Sequence, residues 1–279
     1  MSNHEQTSAQ GPVVGVFDSG FGGLTVLRAL LPRVPGAHYI YLGDTARLPY
    51  GAKSQQTIAR YAVESARFLE DRGSEYLVIA CNTASALALD EIRAAVTIPV
   101  LGVIEPGAHA ARAVLPQHQG DVLVLATSAT VQSHAYRAAC AAQGLQATEF
   151  ACPLLVPLVE EGWVDHTVTR DVLRIYLTEA LQQCSANAMP EAVVLGCTHY
   201  PLIASAIESM LRSLGSQAIV IDSAAATAKA ASAALARQAT AAPATFECYA
   251  TDSVEKFQRL GSIFLGRTIP SVQLLDLGG

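Results

Sequence analysis

The chain has 279 residues, 51% of them hydrophobic and 15% charged, with Lys+Arg 18 against Asp+Glu 24 and a net charge of −6. That length supports a well-buried core, and with a mean hydropathy of +0.31 it excludes a disordered chain. The mild acidity, with no basic stripe, argues against nucleic acid as a primary partner. No apolar run approaches the ~20 residues of a membrane helix.

The polar start, residues 1–11, lacks the apolar core of a secretion signal and reads as a loose tail. Beyond it, strands are predicted at residues 13–17, 38–42, 76–80, 100–104, 122–126, 147–151, 192–195, 218–221 and 245–249. Helical stretches fall between them, among them 54–72, 131–143, 167–183 and the Ala-rich 224–238. Near-continuous β-branched runs alternating with helices predict an α/β fold of mostly parallel sheets, covered on both faces. No Pro/Gly/Ser-rich linker marks a domain boundary.

Two segments share a layout. Tyr76-Leu-Val-Ile-Ala-Cys81-Asn-Thr and Ala192-Val-Val-Leu-Gly-Cys197-Thr-His each run from an apolar strand through one small residue to a cysteine that opens a helix. The strand ending in Asp18-Ser19 pairs similarly with the one ending in Thr127-Ser128. Two similar halves facing each other are the expectation.

Ligands in open α/β sheets bind beyond the carboxyl ends of the strands. The polar clusters there are Asp18-Ser19, Asp44 with Pro49-Tyr50-Gly51, Cys81-Asn82-Thr83, Thr127 to Thr130, and Cys197-Thr198-His199. Taken singly, each has a plainer explanation. Asp, Ser, Thr and Asn at a helix start are usually caps, and a buried cysteine is usually a small hydrophobe. Six cysteines are present, Cys81, Cys140, Cys152, Cys184, Cys197 and Cys248, scattered without a CxxC pair. Metal-ligand spacing is therefore absent, and reduced thiols in the cytoplasm are expected. Only Cys81 and Cys197 fall at strand-to-helix turns, where a helix N-terminus is expected to lower a thiol's pKa. Cys140 and Cys184 are expected inside helices, Cys152 before a proline and Cys248 within a late strand, all four structural.

Matched cysteines suit inversion of a tetrahedral carbon, in which one group takes a proton from one face and another returns one from the opposite face. A cysteine hydrolase would need one nucleophile with a histidine and an orienting partner. His199, two residues from Cys197, gives weak support for that. Helix starts offer sites for carboxylates, and Asp18 can pair with an α-ammonium. None of Lys53, Lys229 and Lys256 has a setting that suggests a pyridoxal Schiff base, so no cofactor and no metal are expected. The Gly20–Gly23 run lacks the spacing of a nucleotide loop and reads as close helix–strand packing.

The set Gly15-Val-Phe-Asp18-Ser19-Gly-Phe-Gly-Gly-Leu-Thr-Val, Asp44-Thr-Ala-Arg-Leu-Pro49-Tyr50-Gly51, Ala80-Cys81-Asn82-Thr83-Ala84 and Leu195-Gly196-Cys197-Thr198-His199-Tyr200-Pro201 resembles the bacterial glutamate racemases. The four motifs stand in unchanged order between about Gly11 and Gly266. The resemblance implies two similar Rossmann-like or flavodoxin-like domains with the active site in the cleft between them. The first would comprise residues 12–104 and 213–279, and the second, inserted in it, residues 105–212. It implies that Cys81 deprotonates D-glutamate and Cys197 L-glutamate, assisted by Asp18 and His199. Glu160 would be the acidic residue near the second cysteine, with Glu161 beside it as a competing choice. Asp18, Ser19, Pro49, Tyr50, Gly51, Asn82, Thr83, Thr127, Thr130, Thr198 and His199 would hold the substrate. D-Glutamate would feed peptidoglycan synthesis, and a homodimer and an activating cell-wall precursor are admitted as partners. A sister racemase acting on aspartate and a non-catalytic amino-acid-binding protein of the same fold are the alternatives.

Overall fold

The computed structural model describes residues 11–115, 120–184 and 189–277; of the expected tail, residues 1–10 lie outside them. Ten strands are present among the described residues: β1 (Val13–Asp18), β2 (His38–Gly43), β3 (Tyr76–Ile79), β4 (Val100–Gly102), β5 (Asp121–Ala126), β6 (Gln146–Ala151), β7 (Ala192–Gly196), β8 (Ile219–Asp222), β9 (Thr245–Ala250) and β10 (Gln273–Leu274). They form one sheet in the order β10-β9-β2-β1-β3-β4 and a second in the order β6-β5-β7-β8. Every pairing is parallel.

The two orders repeat. The run β2-β1-β3-β4 of the first sheet is matched by β6-β5-β7-β8 of the second, and β9 and β10 extend the first beyond β2. The shared layouts in the sequence are thus the equivalent strands β1 and β5, and β3 and β7. Parallel strands need crossovers that cover both faces, so β1 and β5 carry apolar side chains on each side. Val14, Val16 and Phe17, and Val122, Leu123, Val124 and Leu125, are all fully buried. Each such side chain contributes about 1.5–3 kcal/mol on burial. One cluster continues through both sheets, from Val14 and Val16 to Leu123, Leu125, Val193 and Leu195. The Ala-rich stretch is a packed helix, Ser223–Leu235, that lies on the helices Leu24–Leu30 and Ile104–Val114.

Four expectations are corrected. The chain does not return to the first sheet at residue 213, because β8 pairs with β7 and completes the second sheet through Asp222. Residues 103–104 are not strand: β4 stops at Gly102, and Pro106 sits in the first turn of the helix Ile104–Val114, where its missing N–H costs nothing. The helix expected over 131–143 is two, Ser128–Ser133 and Ala135–Ala142. His134 breaks it with a positive φ of 55°, held by Glu149 Oε2 at 3.0 Å from its Nδ1. Cys184 lies just past the helix Thr167–Gln183, in extended backbone.

Candidate active site

In each sheet the chain winds one way from the central strand and the other way from its neighbour, so a crevice opens at the carboxyl ends of β1 and β3, and of β5 and β7. Asp18 ends β1 and Ser19 follows it, Cys81 follows β3, Thr127 follows β5 and Cys197 follows β7. These turns meet. Thr83 Oγ1 lies 3.1 Å from Thr127 Oγ1 and 3.3 Å from Thr130 Oγ1, and the latter two are 2.9 Å apart. Thr25 Oγ1 donates to the Thr198 carbonyl at 3.1 Å, and Tyr136 OH donates to Asn82 Oδ1 at 2.7 Å. Asn82, Thr83, Thr130 and Thr198 are all buried, so these groups form a polar interior between two apolar sheets.

Glycine makes the close approach possible. A Cβ on Gly22 would overlap Thr198 Oγ1 and come within 2.6 Å of His199 Nδ1, and one on Gly23 would lie 2.5 Å from Asp18 Cβ and 2.9 Å from Ala80 Cβ. The Gly20–Gly23 run does provide close packing, as its sequence suggests. It packs across the crevice as well as within the first sheet.

Cys81 caps the helix Asn82–Leu87: its Sγ accepts from Ala84 N–H at 3.4 Å and lies 3.4 Å from Ser19 Oγ, to which the thiol can donate. The lowered pKa expected from its turn is not what the environment produces. Burial, with the Asp18 charge adding to it, outweighs the hydrogen bonds from Ser19 and Ala84 and pushes the Cys81 thiol up to about 12. A helix of six residues offsets little of that desolvation, so the resting form is the thiol.

On the other side Cys197 Sγ lies 3.9 Å from His199 Nδ1, and His199 Nε2 lies 3.0 Å from Glu160 Oε1. Burial pulls the imidazole down. The hydrogen bonds and charges of Cys197 and Glu160 outweigh it and carry His199 up to about 10. Glu160, rather than the exposed Glu161, is therefore the acidic partner. Phe264 packs edge-on to the His199 ring at 5.0 Å between centroids. Asp18 acts electrostatically on Cys81 on one side and meets His199 on the other. Burial raises its carboxyl, the charge of His199 opposes that rise, and Glu160 adds a smaller upward push. Its Oδ2 accepts from Gly20 N–H at 2.9 Å, while Oδ1 and Asn82 Nδ2 are buried without a protein partner.

Pro49 follows a cis peptide bond and is exposed. Tyr50 OH donates to Asp44 Oδ2 at 2.6 Å, and Thr251 Oγ1 donates to Asp44 Oδ1 at 2.9 Å. The Tyr50 hydroxyl is thus engaged by Asp44, and what this loop offers the crevice is Gly51, beside Thr127. The other four cysteines are buried. Among the described residues no group of three His, Cys, Asp or Glu side chains could hold a metal ion, and no helix is long and apolar enough to cross a membrane. Sequence reasoning missed Tyr136, Thr25, Gly22 and Phe264 as parts of this constellation. Gly22 had a signal in the glycine run, whereas the other three look like ordinary helix residues.

The arrangement brings a thiol from each sheet to one crevice, together with hydroxyl and amide groups and a carboxylate. The family model for Asp/Glu/hydantoin racemases matches residues 22–231. The glutamate racemase of Koribacter versatilis (strain Ellin345) is 50% identical, over 98% of this chain and 100% of that protein. A glutamate racemase from Francisella tularensis subsp. tularensis SCHU S4, solved with D-glutamate, superposes with a TM-score of 0.84 at 33% identity, covering 96% of this chain and 98% of that one. The Escherichia coli glutamate racemase, solved with L-glutamate and the activator UDP-MurNAc-ala, gives a TM-score of 0.74 at 28% identity over 96% and 100% of the two chains. An aspartate racemase from Picrophilus torridus, at 20% identity and a TM-score of 0.58 over 81% of this chain and 95% of that one, shares the fold alone. Sequence, fold and the arrangement of the crevice agree: the chain belongs to the Asp/Glu/hydantoin racemase family.

Proposed function

We propose that the chain is a cofactor-independent glutamate racemase in which one of Cys81 and Cys197 removes the α-proton of glutamate and the other returns a proton to the opposite face. The carrying observation is the pair of cysteine turns at equivalent strand ends of two like sheets, closing on one buried polar crevice. In the L-to-D direction Cys197, with His199 Nδ1 3.9 Å from its sulfur, acts as the base. It breaks the Cα–H bond and becomes a thiol. Cys81, a thiol at rest, gives its own proton to the opposite face of the carbanion and becomes a thiolate. The D-to-L direction runs the same steps backwards.

The remaining groups suit glutamate. Asp18, with one oxygen unpartnered, meets the α-ammonium, whose positive charge also eases ionisation of the neighbouring thiol. Asn82 Nδ2, the Thr83, Thr127 and Thr130 hydroxyls, Thr198 and the Ser19 hydroxyl supply donors for the two carboxylates. Gly51, beside Thr127, borders the site, and Tyr50, held by Asp44, supports that loop. Glu160 keeps His199 charged beside Cys197. D-Glutamate so made supplies peptidoglycan synthesis, and the E. coli relative's complex with UDP-MurNAc-ala supports a muramyl nucleotide as an activator here too. A mechanism requiring two free thiols suits a reducing compartment, the cytoplasm.

Proton NMR of L-glutamate in D₂O with the purified protein and no added cofactor tests this reading, with L-aspartate in a parallel sample. Loss of the glutamate α-proton signal with D-glutamate appearing is expected. Exchange of aspartate alone would move the assignment by one methylene, a discrimination of only ~1–3 kcal/mol in a binding pocket. No exchange of either would remove the racemase reading.

A further inference from the structure

Asn82 is held from the opposite sheet. Tyr136, on the helix Ala135–Ala142 that packs against β6, is fully buried and donates to Asn82 Oδ1 at 2.7 Å. Its ring lies in a slot between two glycines. A Cβ on Gly196 would sit 3.0 Å from its Cε2, and one on Gly107 would sit 3.2 Å from its Cε1. Gly196 directly precedes Cys197, and Asn82 directly follows Cys81. One side chain therefore touches both cysteine turns.

Burial keeps the phenol protonated, so it acts as a donor at any working pH. A donor at that place fixes the carboxamide, with Oδ1 turned to Tyr136 and Nδ2 turned away. Nδ2 is buried with no protein partner, and a buried donor of that kind calls for a ligand acceptor. We propose that Tyr136 is a positioning residue of the racemase: it locks the Asn82 carboxamide with its N–H groups presented to the substrate carboxylate. Glycine before Cys197 and in the helix Ile104–Val114 leaves room for its ring. This role rests on the glutamate reading above.

Tyr136→Phe keeps the ring in its slot and removes only the hydroxyl. Steady-state kinetics with both enantiomers is the readout, together with the same substitution made on an Asn82→Ala background. KM is expected to rise roughly threefold to tenfold for L- and D-glutamate alike, the scale of one hydrogen bond, with kcat nearly unchanged. On the Asn82→Ala background the added substitution is expected to change nothing further, because the group it positions is gone. An unchanged KM would overturn the role, as would losses that multiply on that background or a lowered Tm alone. Should Tyr136→Phe not fold, Gly107→Ala presses on the ring while keeping the hydroxyl, and the same loss in KM, again absent on the Asn82→Ala background, is expected; its absence overturns the role. A wild-type protein that neither binds nor exchanges glutamate would remove the functional reading and this role with it. A wild type that exchanges glutamate alongside an unaffected Tyr136→Phe removes the role alone.

Discussion

Replacing Glu160 with glutamine separates charge from shape at the Cys197 side of the site. The carboxamide oxygen can keep the contact that Glu160 Oε1 makes with His199 Nε2 at 3.0 Å, and only the negative charge is lost. The pair is well shielded, with side-chain exposures of 9% for His199 and 21% for Glu160. A hydrogen bond to a charged group is worth about 1.5–3 kcal/mol against about 1 for a neutral one. The loss is therefore about 1–2 kcal/mol, centred near tenfold. It falls on the protonated imidazole that Cys197 works with, and Cys81 is untouched. Racemisation alone cannot show the asymmetry, because the two enantiomers have equal free energy and kcat/KM must fall equally in both directions. Glutamate analogues with a β leaving group can show it, since each needs only one cysteine to remove its α-proton before the leaving group departs. Elimination from the L-analogue is expected to slow about tenfold, and from the D-analogue by less than about twofold. Glu160 helps to carry His199 up to about 10, so an NMR titration of the His199 ring is expected to move to lower pH in Glu160→Gln. Equal losses for both hands, or an unmoved His199 titration, would refute this placing of Glu160.

Two further substitutions probe the crevice. Burial raises the Asp18 carboxyl above its ordinary 3.8, so the unfolded chain ionises first and native stability is lost as pH rises through the interval between the two values. Asp18→Asn removes that cost. Calorimetry should find a higher Tm than wild type at pH 8, the gain shrinking towards pH 4, while racemisation falls; a lower Tm at pH 8 would contradict the burial argument. Gly22→Ala would drive a methyl into Thr198 and within 2.6 Å of His199 Nδ1. A displacement of that order is expected to lower kcat roughly hundredfold, with far-UV circular dichroism unchanged; wild-type kcat would show that the two turns are not packed as described.

Much of this arrangement is legible in the sequence because it depends on local pattern. The strands announce themselves as β-branched runs, and Cys81 and Cys197 stand out because each follows such a run; Cys81 caps a helix as expected, whereas Cys197 enters a turn before the short 3-10 helix Tyr200–Ile203. What was not legible depends on tertiary contact. Tyr136 reads as one more residue of an amphipathic helix until its hydroxyl is found on Asn82, 54 positions away. Glu160 and Glu161 are indistinguishable until the helix Leu155–Glu160 turns one to His199 and leaves the other in solvent. β8 has the composition of a strand, but which sheet it joins is decided by the open edge of β7. The Cys81 turn suggested an acidic thiol, and complete burial reversed that. A helix N-terminus is visible in sequence, whereas the loss of water around it is not.

The central claim, that one sulfur removes the α-proton and the other returns a proton to the opposite face, is tested most directly by following racemisation of L-glutamate by circular dichroism in Cys81→Ser and Cys197→Ser. A serine hydroxyl is a far weaker acid than a thiol, so each single replacement is expected to lower the rate by about a thousandfold or more, within the reach of losing a positioned acid–base group. Either variant racemising at the wild-type rate would show that its cysteine carries no proton in the reaction.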